Sequence, residues 1–108
     1  MVEYTKKVLN ELNKWKKNSF KIAQERALED LARQFERWQK KRITADTLEI
    51  AIDKHKSFRN DLLEKQYMEN GDPGVPVAEA IIRGDIRRED LSSEAYKSIE
   101  ILIDLVNI

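Results

Sequence analysis

The chain has 108 residues, of which 41% are hydrophobic and 37% charged, with three glycines, two prolines and no cysteine. These values predict one soluble helical domain, and the lack of cysteine excludes disulfides and thiol chemistry. The 20 basic and 20 acidic side chains cancel, so the chain as a whole is neither strongly cationic nor strongly anionic. The first residues contain no apolar run of the kind that a signal peptide needs, and we expect a cytoplasmic protein.

Charge is nevertheless distributed unevenly along the chain. Residues 1–42 hold 12 basic and 6 acidic side chains, a balance of +6, and residues 43–108 hold 8 basic and 14 acidic ones, a balance of −6. Because opposite charges attract, we expect the two halves to face each other, within one chain or between chains. A nucleic-acid-binding accessory protein that uses the basic half is a second interpretation.

The first predicted helix covers about residues 3–17, and the second covers about residues 20–41. Val8 and Leu12 line one face of the first helix, whereas the apolar residues of the second cluster about 130° away, at about 100° per residue. One straight helix would present two unrelated stripes, so we predict a break at Asn18–Ser19, with the serine as an N-cap. A continuous helix, either kinked or with two stripes that meet different partners, is the alternative.

A third long helix is predicted over about residues 45–69, with Thr44 as its N-cap. Residues 70–76 contain both prolines and two of the three glycines, a composition that predicts a loop. Pro76 is placed to open a short helix from residue 77, and Gly84 is placed to end it.

The last predicted helix, capped by Asp90 or Ser92, carries the most apolar run of the chain. From Tyr96 onward, apolar side chains cover more than half of the helix circumference and leave a narrow polar strip. A helix this apolar must be surrounded, and it is too short to span a bilayer. We therefore predict a homodimer or higher oligomer whose interface includes Ile99, Ile101, Leu102, Leu105, Val106 and Ile108.

His55 is the sole histidine and lies at the centre of the apolar stripe of the third helix, with Arg59 one turn later. Four-helix phosphotransfer domains place a lysine three residues and a glycine four residues after their histidine, whereas Phe58 and Arg59 stand here. We expect a packed or interfacial His55, hydrogen-bonded to a neighbour, and an Arg59 that needs a carboxylate partner. An enzyme centred on His55, such as a phosphotransfer protein, is the third interpretation.

Two carboxylate pairs, Glu25/Glu29 and Glu49/Asp53, have a spacing of four residues. In the all-α nucleotide pyrophosphohydrolases, which use paired acids to hold a metal, the spacing is three. The first pair also projects away from the apolar stripe of its helix and toward water. We therefore predict no metal site, no cofactor and no catalytic residue.

Taken together, these patterns predict a single all-α domain over residues 1–108. Three long helices, a short helix and the apolar C-terminal helix form a bundle that is dimeric. The favoured function is a non-catalytic structural or interaction module. Its expected partner is a second copy of the chain, with room for another protein partner, and we expect neither nucleic acid nor a membrane.

Overall fold

The computed structural model describes residues 3–67 and 71–107. Its helices are α1 (Lys6–Gln39), α2 (Ala45–Tyr67), α3 (Gly74–Arg83) and α4 (Ser93–Val106), and a 3₁₀ turn at Arg88–Asp90 precedes α4. These residues contain no strand, so the predicted all-α class is confirmed. Residues 68 and 69, which the prediction assigned to the third helix, lie outside the described part of the chain.

Local capping chemistry sets several helix ends where the sequence predicts them. The Thr44 hydroxyl accepts a hydrogen bond from the Thr47 backbone N–H at 3.2 Å, and the Ser92 hydroxyl accepts one from Ala95 N–H at 3.2 Å. Each cap satisfies an N–H group that the helix itself leaves without a partner. Gly84 ends α3 in the left-handed conformation, at φ 81°, which glycine adopts without steric cost.

The predicted break between the first two helices is wrong, because α1 runs without interruption through Asn18–Ser19. Ser19 is buried inside the helix, where its hydroxyl donates to the Lys16 carbonyl oxygen at 3.1 Å. Such a bond to the preceding turn satisfies the hydroxyl without ending the helix. The serine is therefore an interior residue of α1 and not a cap.

The two apolar stripes of α1 exist, but each has its own partner. Val8 and Leu12 are buried in a cluster with Val77 of α3 and Ile99 of α4. Further along α1, Ala27 lies opposite residues of α2. The change of phase therefore marks a change of neighbour along one continuous helix, which is one of the two alternatives that the sequence left open.

The short helix α3 begins at Gly74, three residues before the predicted start. Pro76 is its third residue, a position where its missing N–H removes no intrahelical bond. The Asp72 carboxylate organises the entry by accepting from Gly74 N–H at 2.8 Å and from the Tyr4 hydroxyl at 2.6 Å. A Cβ at Gly74 would overlap that hydroxyl, so glycine is needed for the close approach of α3 to the N-terminal segment.

The helices form two regions, which we call the body and the arm. The body comprises residues 3–23 and 71–107, and the arm comprises residues 24–67, a hairpin made by the second half of α1 and by α2. The arm helps to give the molecule its elongated dimensions of 53 × 27 × 25 Å. The body contains the main core, formed by Val8, Leu12, Val77, Ala80, Ile86, Leu91, Ala95 and Ile99.

Candidate interaction site on the C-terminal helix

One side of α4 completes the core of the body. Ala95 and Ile99 are fully buried, and Leu102 and Ile103 pack against the same cluster while remaining partly exposed. The helix runs antiparallel to α1, because the Ser92 backbone N–H donates to the Glu11 carboxylate at 3.0 Å while Leu102 lies near Gly74, at the end of the body that holds Tyr4. These contacts fix which side of α4 faces the body.

The opposite flank of α4 remains apolar and uncovered. Ile101 and Leu105 are each 59% exposed and point about 40° apart on the helix. Val106 is 40% exposed, but it points within about 20° of Ile99 and so belongs to the core side of α4 at the last residue of the helix. In the described part of the chain, no other helix buries Ile101 or Leu105. Because these two large apolar side chains are neighbours on one face, this flank has the character of an interaction surface.

The residues predicted for the oligomer interface therefore divide into groups. Ile99 lies in the chain's own core, and Leu102 is partly committed to that core. Ile101, Leu105 and Val106 are accessible, whereas Ile108 lies outside the described residues. The sequence identifies the apolar helix. Among the described residues, the structure leaves only Ile101 and Leu105 of the predicted interface both exposed and directed away from the core.

Polar residues border this flank. Lys97, Glu100 and Asp104 are exposed, and a step of about 100° per residue places them together beside Ile101. The Ser98 hydroxyl, on the other side of the flank, donates to the Ala95 carbonyl oxygen at 2.6 Å. The flank thus combines apolar side chains with charges of both signs and with a serine whose hydroxyl is already satisfied.

His55 and Arg59, the second set of predicted residues, lie on α2 in the arm. His55 is partly buried against α1, and its enclosed Nδ1 atom has no hydrogen-bond partner among the described residues. The hydrogen bond expected from the sequence is therefore not made at this atom. Arg59 is exposed, so water solvates its charge and the predicted need for a carboxylate partner disappears. Within residues 3–67 and 71–107, the structure therefore brings no carboxylate into an ion pair with Arg59 and forms no acid–base site at His55.

A groove of about 730 Å³ runs beside His55 between the two helices of the arm. Asp85, whose side chain is nearly buried, closes one end by accepting from Arg26 at 2.7 Å and from Arg83 at 2.9 Å. The Arg26 contact joins the arm to the body, whereas the Arg83 contact lies within the body. The Arg26 contact was not predicted, because Arg26 and Asp85 are 59 residues apart in the sequence. The remaining lining is largely apolar, with Ala27, Leu31, Ala51 and Phe58 among its residues.

The basic residues of the first half are mostly exposed, but the aromatic residues between them are not free. Trp15 packs against the body core, and Phe20 is partly buried between α1 and α2. Stacking on nucleic-acid bases needs accessible rings. The stretch around Lys14–Lys17 therefore offers charge without a stacking surface.

The described part of the chain contains neither a metal cluster nor a membrane-spanning helix. Within residues 3–67 and 71–107, no group of three histidine, cysteine or acidic side chains is arranged to hold a metal ion. No helix in this part is long and apolar enough to cross a membrane. Comparison of the chain with protein-family models, with curated proteins and with solved structures gave no match. The described residues form an all-α bundle of helices.

Proposed function

We propose that this chain is a non-catalytic interaction module of the cytoplasm that forms a homodimer through the exposed flank of α4. One observation carries the proposal. Ile99 is completely buried, whereas Ile101 and Leu105 on the same helix are each 59% exposed. A helix with apolar side chains on both sides needs a second covering surface.

The energetic reason is the contact of this flank with water. Burying apolar surface stabilises an assembly by about 25 cal/mol per Å², which corresponds to about 1.5–3 kcal/mol for a fully covered Leu or Ile side chain. A second copy of the chain always accompanies the first and presents the same flank. A two-fold contact therefore covers both flanks at once and leaves no open end for further growth.

The proposal is tested by the mass of the protein in solution. At tens of micromolar, light scattering should give twice the chain mass of 12.7 kDa. Ile101→Asp or Leu105→Asp should give the monomer mass, because a carboxylate at a dry contact is costly to desolvate. Glu100→Gln, on the polar strip of the same helix, is the control and should leave the dimer intact.

The helix content of each variant, measured by circular dichroism, separates dissociation from unfolding. Because both side chains are largely exposed in the single chain, the aspartate variants should retain their helices. A wild-type mass of 12.7 kDa under these conditions would overturn the proposal.

A second candidate function, binding of a nucleic acid backbone, is favoured by one observation. Lys14, Lys17 and Lys21 are all exposed and recur at spacings of three and four residues, on one face of α1. Such contacts give affinity that falls steeply with salt. Retention of the protein on a polyanion resin at about 150 mM salt would favour this function, and elution at lower salt would favour the interaction module.

A further inference from the structure

We propose that the two copies pack α4 against α4 in an antiparallel arrangement, with Ile101 at the two-fold axis and Lys97 of each copy paired with Asp104 of the other. This inference rests on the proposed homodimer and specifies its geometry. It follows from the exposure of the flank, from the spacing of its charges and from the size of the side chains on its other side.

Two residues of opposite charge lie on the same line along α4. Lys97 and Asp104 are exposed and seven residues apart, almost two full turns of helix, so they lie on one line along α4. Ile101 stands between them, four residues after the lysine and three before the aspartate. Opposite charges therefore lie on either side of Ile101, one of the two most exposed apolar residues of the flank, at nearly equal distances.

This pattern distinguishes the two ways in which identical helices can pair. In a parallel pair, Lys97 would lie beside Lys97 of the second copy, and the two Asp104 carboxylates would likewise be neighbours. In an antiparallel pair centred on Ile101, each lysine lies opposite an aspartate, and the contact occurs twice by symmetry. Glu100 lies near its own copy in either arrangement, so it does not distinguish them. Because like charges repel and opposite charges attract, the positions of Lys97 and Asp104 favour the antiparallel pair.

Side-chain size agrees with this choice on the other side of the flank. Ser98 and Leu105 are also seven residues apart, so an antiparallel pair places each leucine over the serine of the second copy. A small residue opposite a large one allows the helices to approach closely. The Ser98 hydroxyl donates to Ala95 within its own helix at 2.6 Å, so covering it with leucine leaves no unsatisfied donor.

The size of the contact bounds its strength. α4 has 14 residues, which corresponds to a length of about 21 Å. Two helices of this length bury less surface than the roughly 1,200–2,000 Å² of a standard stable interface. We therefore expect a dissociation constant in the micromolar range.

The charge pairs are tested by exchanging them between copies. Lys97→Glu and Asp104→Lys each place two like-charged contacts in the homodimer, and each variant alone should dimerise about tenfold more weakly than wild type. A mixture of the two variants restores both opposite-charge contacts in the heterodimer, which should form with nearly wild-type affinity. Glu100→Gln is the control. It removes a carboxylate that lies near its own copy beside the axis, so this variant should dimerise no more weakly than wild type.

Sedimentation of the separate variants and of the mixture reads out this exchange. If the wild type is a dimer and the mixture associates no more tightly than the single variants, the antiparallel register is wrong although the homodimer stands. If the wild type is monomeric at tens of micromolar, both the register and the proposed function are wrong.

Disulfide trapping gives an independent test, since the chain contains no cysteine of its own. Ile101→Cys lies at the axis and should form an inter-chain disulfide on mild oxidation. Ser98→Cys is the matched variant, because an antiparallel pair separates its two copies by about six residues, or about 9 Å along the helix. A disulfide does not bridge Cα atoms more than about 7 Å apart. Efficient cross-linking of Ser98→Cys would establish a parallel pair and overturn the proposal.

Discussion

The body and the arm share a single helix, α1, but differ in how well they cover it. In the body, α3 and α4 enclose the first stripe of α1, and Leu12 is fully buried. In the arm, α2 is the partner of the second stripe, and Leu28, Phe35 and Trp38 remain 40–51% exposed. Among the described side chains of the arm, only Leu48 is buried. Two helices do not enclose an apolar core, whereas a third helix in the body does.

The comparison also separates two kinds of exposed apolar surface. The exposed residues of the arm lie on more than one side of the hairpin. Ile50 lines the groove beside His55, whereas Leu28 lines a separate, smaller pocket between α1 and α2. On α4 they form one flank beside a finished core. A compact flank on a helix that already packs on a core is better suited to a defined contact, because fewer side chains have to be ordered when it binds.

The largest expected difference between the two regions is the stability lost on truncating one leucine. Leu12→Ala opens a cavity in the body core and should lower the free energy of unfolding by about 3–5 kcal/mol. Leu31→Ala removes a side chain that is only partly buried in the arm and should cost about 1–2 kcal/mol. Urea denaturation of both variants at equal protein concentration measures these losses.

If the two variants lose the same free energy of unfolding, the arm encloses its leucine as well as the body does. Equal losses would mean that the arm is covered in solution by a surface absent from the single chain. Light scattering of the Leu31→Ala variant would then show whether that surface belongs to a second copy.

Local chemistry explains which features of the fold were predictable. Thr44 and Gly84 act on the backbone of their own turn, so the ends they define follow from the sequence. The continuity of α1 does not, since it depends on whether the two stripes belong to two helices or meet two partners. Serine is a favourable N-cap residue, but Ser19 is buried within the continuous helix α1 and does not begin a new one.

Substitution of proline for Asn18, in the middle of α1, tests whether this helix is continuous. Asn18→Pro removes a backbone N–H from the helix and brings the ring against the carbonyl of the preceding turn, which should cost about 3 kcal/mol or more. Asn18→Ala is the control and should be neutral or stabilise by a few tenths of a kcal/mol, because alanine favours helix. A proline variant as stable as wild type would restore the predicted break between two helices. Thermal unfolding followed by circular dichroism decides the outcome.

A smaller loss of stability is expected on removing the hydrogen bond between Tyr4 and Asp72 at one end of the body. Burial, together with the hydrogen bond to Asp72 and its negative charge, raises the pKa of Tyr4 above the ordinary value of 10. The folded state therefore favours the neutral phenol. The contribution of the neutral Tyr4 phenol to the free energy of unfolding is complete below about pH 10. It is lost as pH rises toward the higher pKa of the folded state.

Tyr4→Phe should lower stability at neutral pH by about 1–2 kcal/mol, through loss of the hydrogen bond to a charged acceptor. The difference in stability between wild type and variant should shrink as pH rises above about 10. Urea titrations at pH 7, 9 and 11 measure it. A difference that stays constant across this range would contradict the role assigned to the Tyr4–Asp72 contact.

The candidate site shows the same limit on prediction from sequence. Ile99 and Ile101 are both apolar and point about 160° apart on the helix, so composition alone does not reveal which one faces inward. The packing of α4 against Val77 and its neighbours decides this, and the burial of Ile99 leaves Ile101 exposed. The apolar helix was predictable from the sequence, whereas the flank was not.

The smallest predicted effect concerns His55 in the arm. In the described part of the chain its enclosed Nδ1 atom has no hydrogen-bond partner, and replacing such a group with an apolar side chain of similar size is nearly neutral or stabilising. His55→Leu should therefore change the free energy of unfolding by less than about 1 kcal/mol and leave the solution mass unchanged. His55→Gln keeps a polar group in the same place and should be the less stable variant by about 1 kcal/mol.

If urea denaturation shows that the leucine variant loses more than about 2 kcal/mol, the imidazole makes a contact in solution that the single chain lacks. The open groove beside His55 would then be the place to search for the bound group, and the arm would rank with α4 as a binding surface.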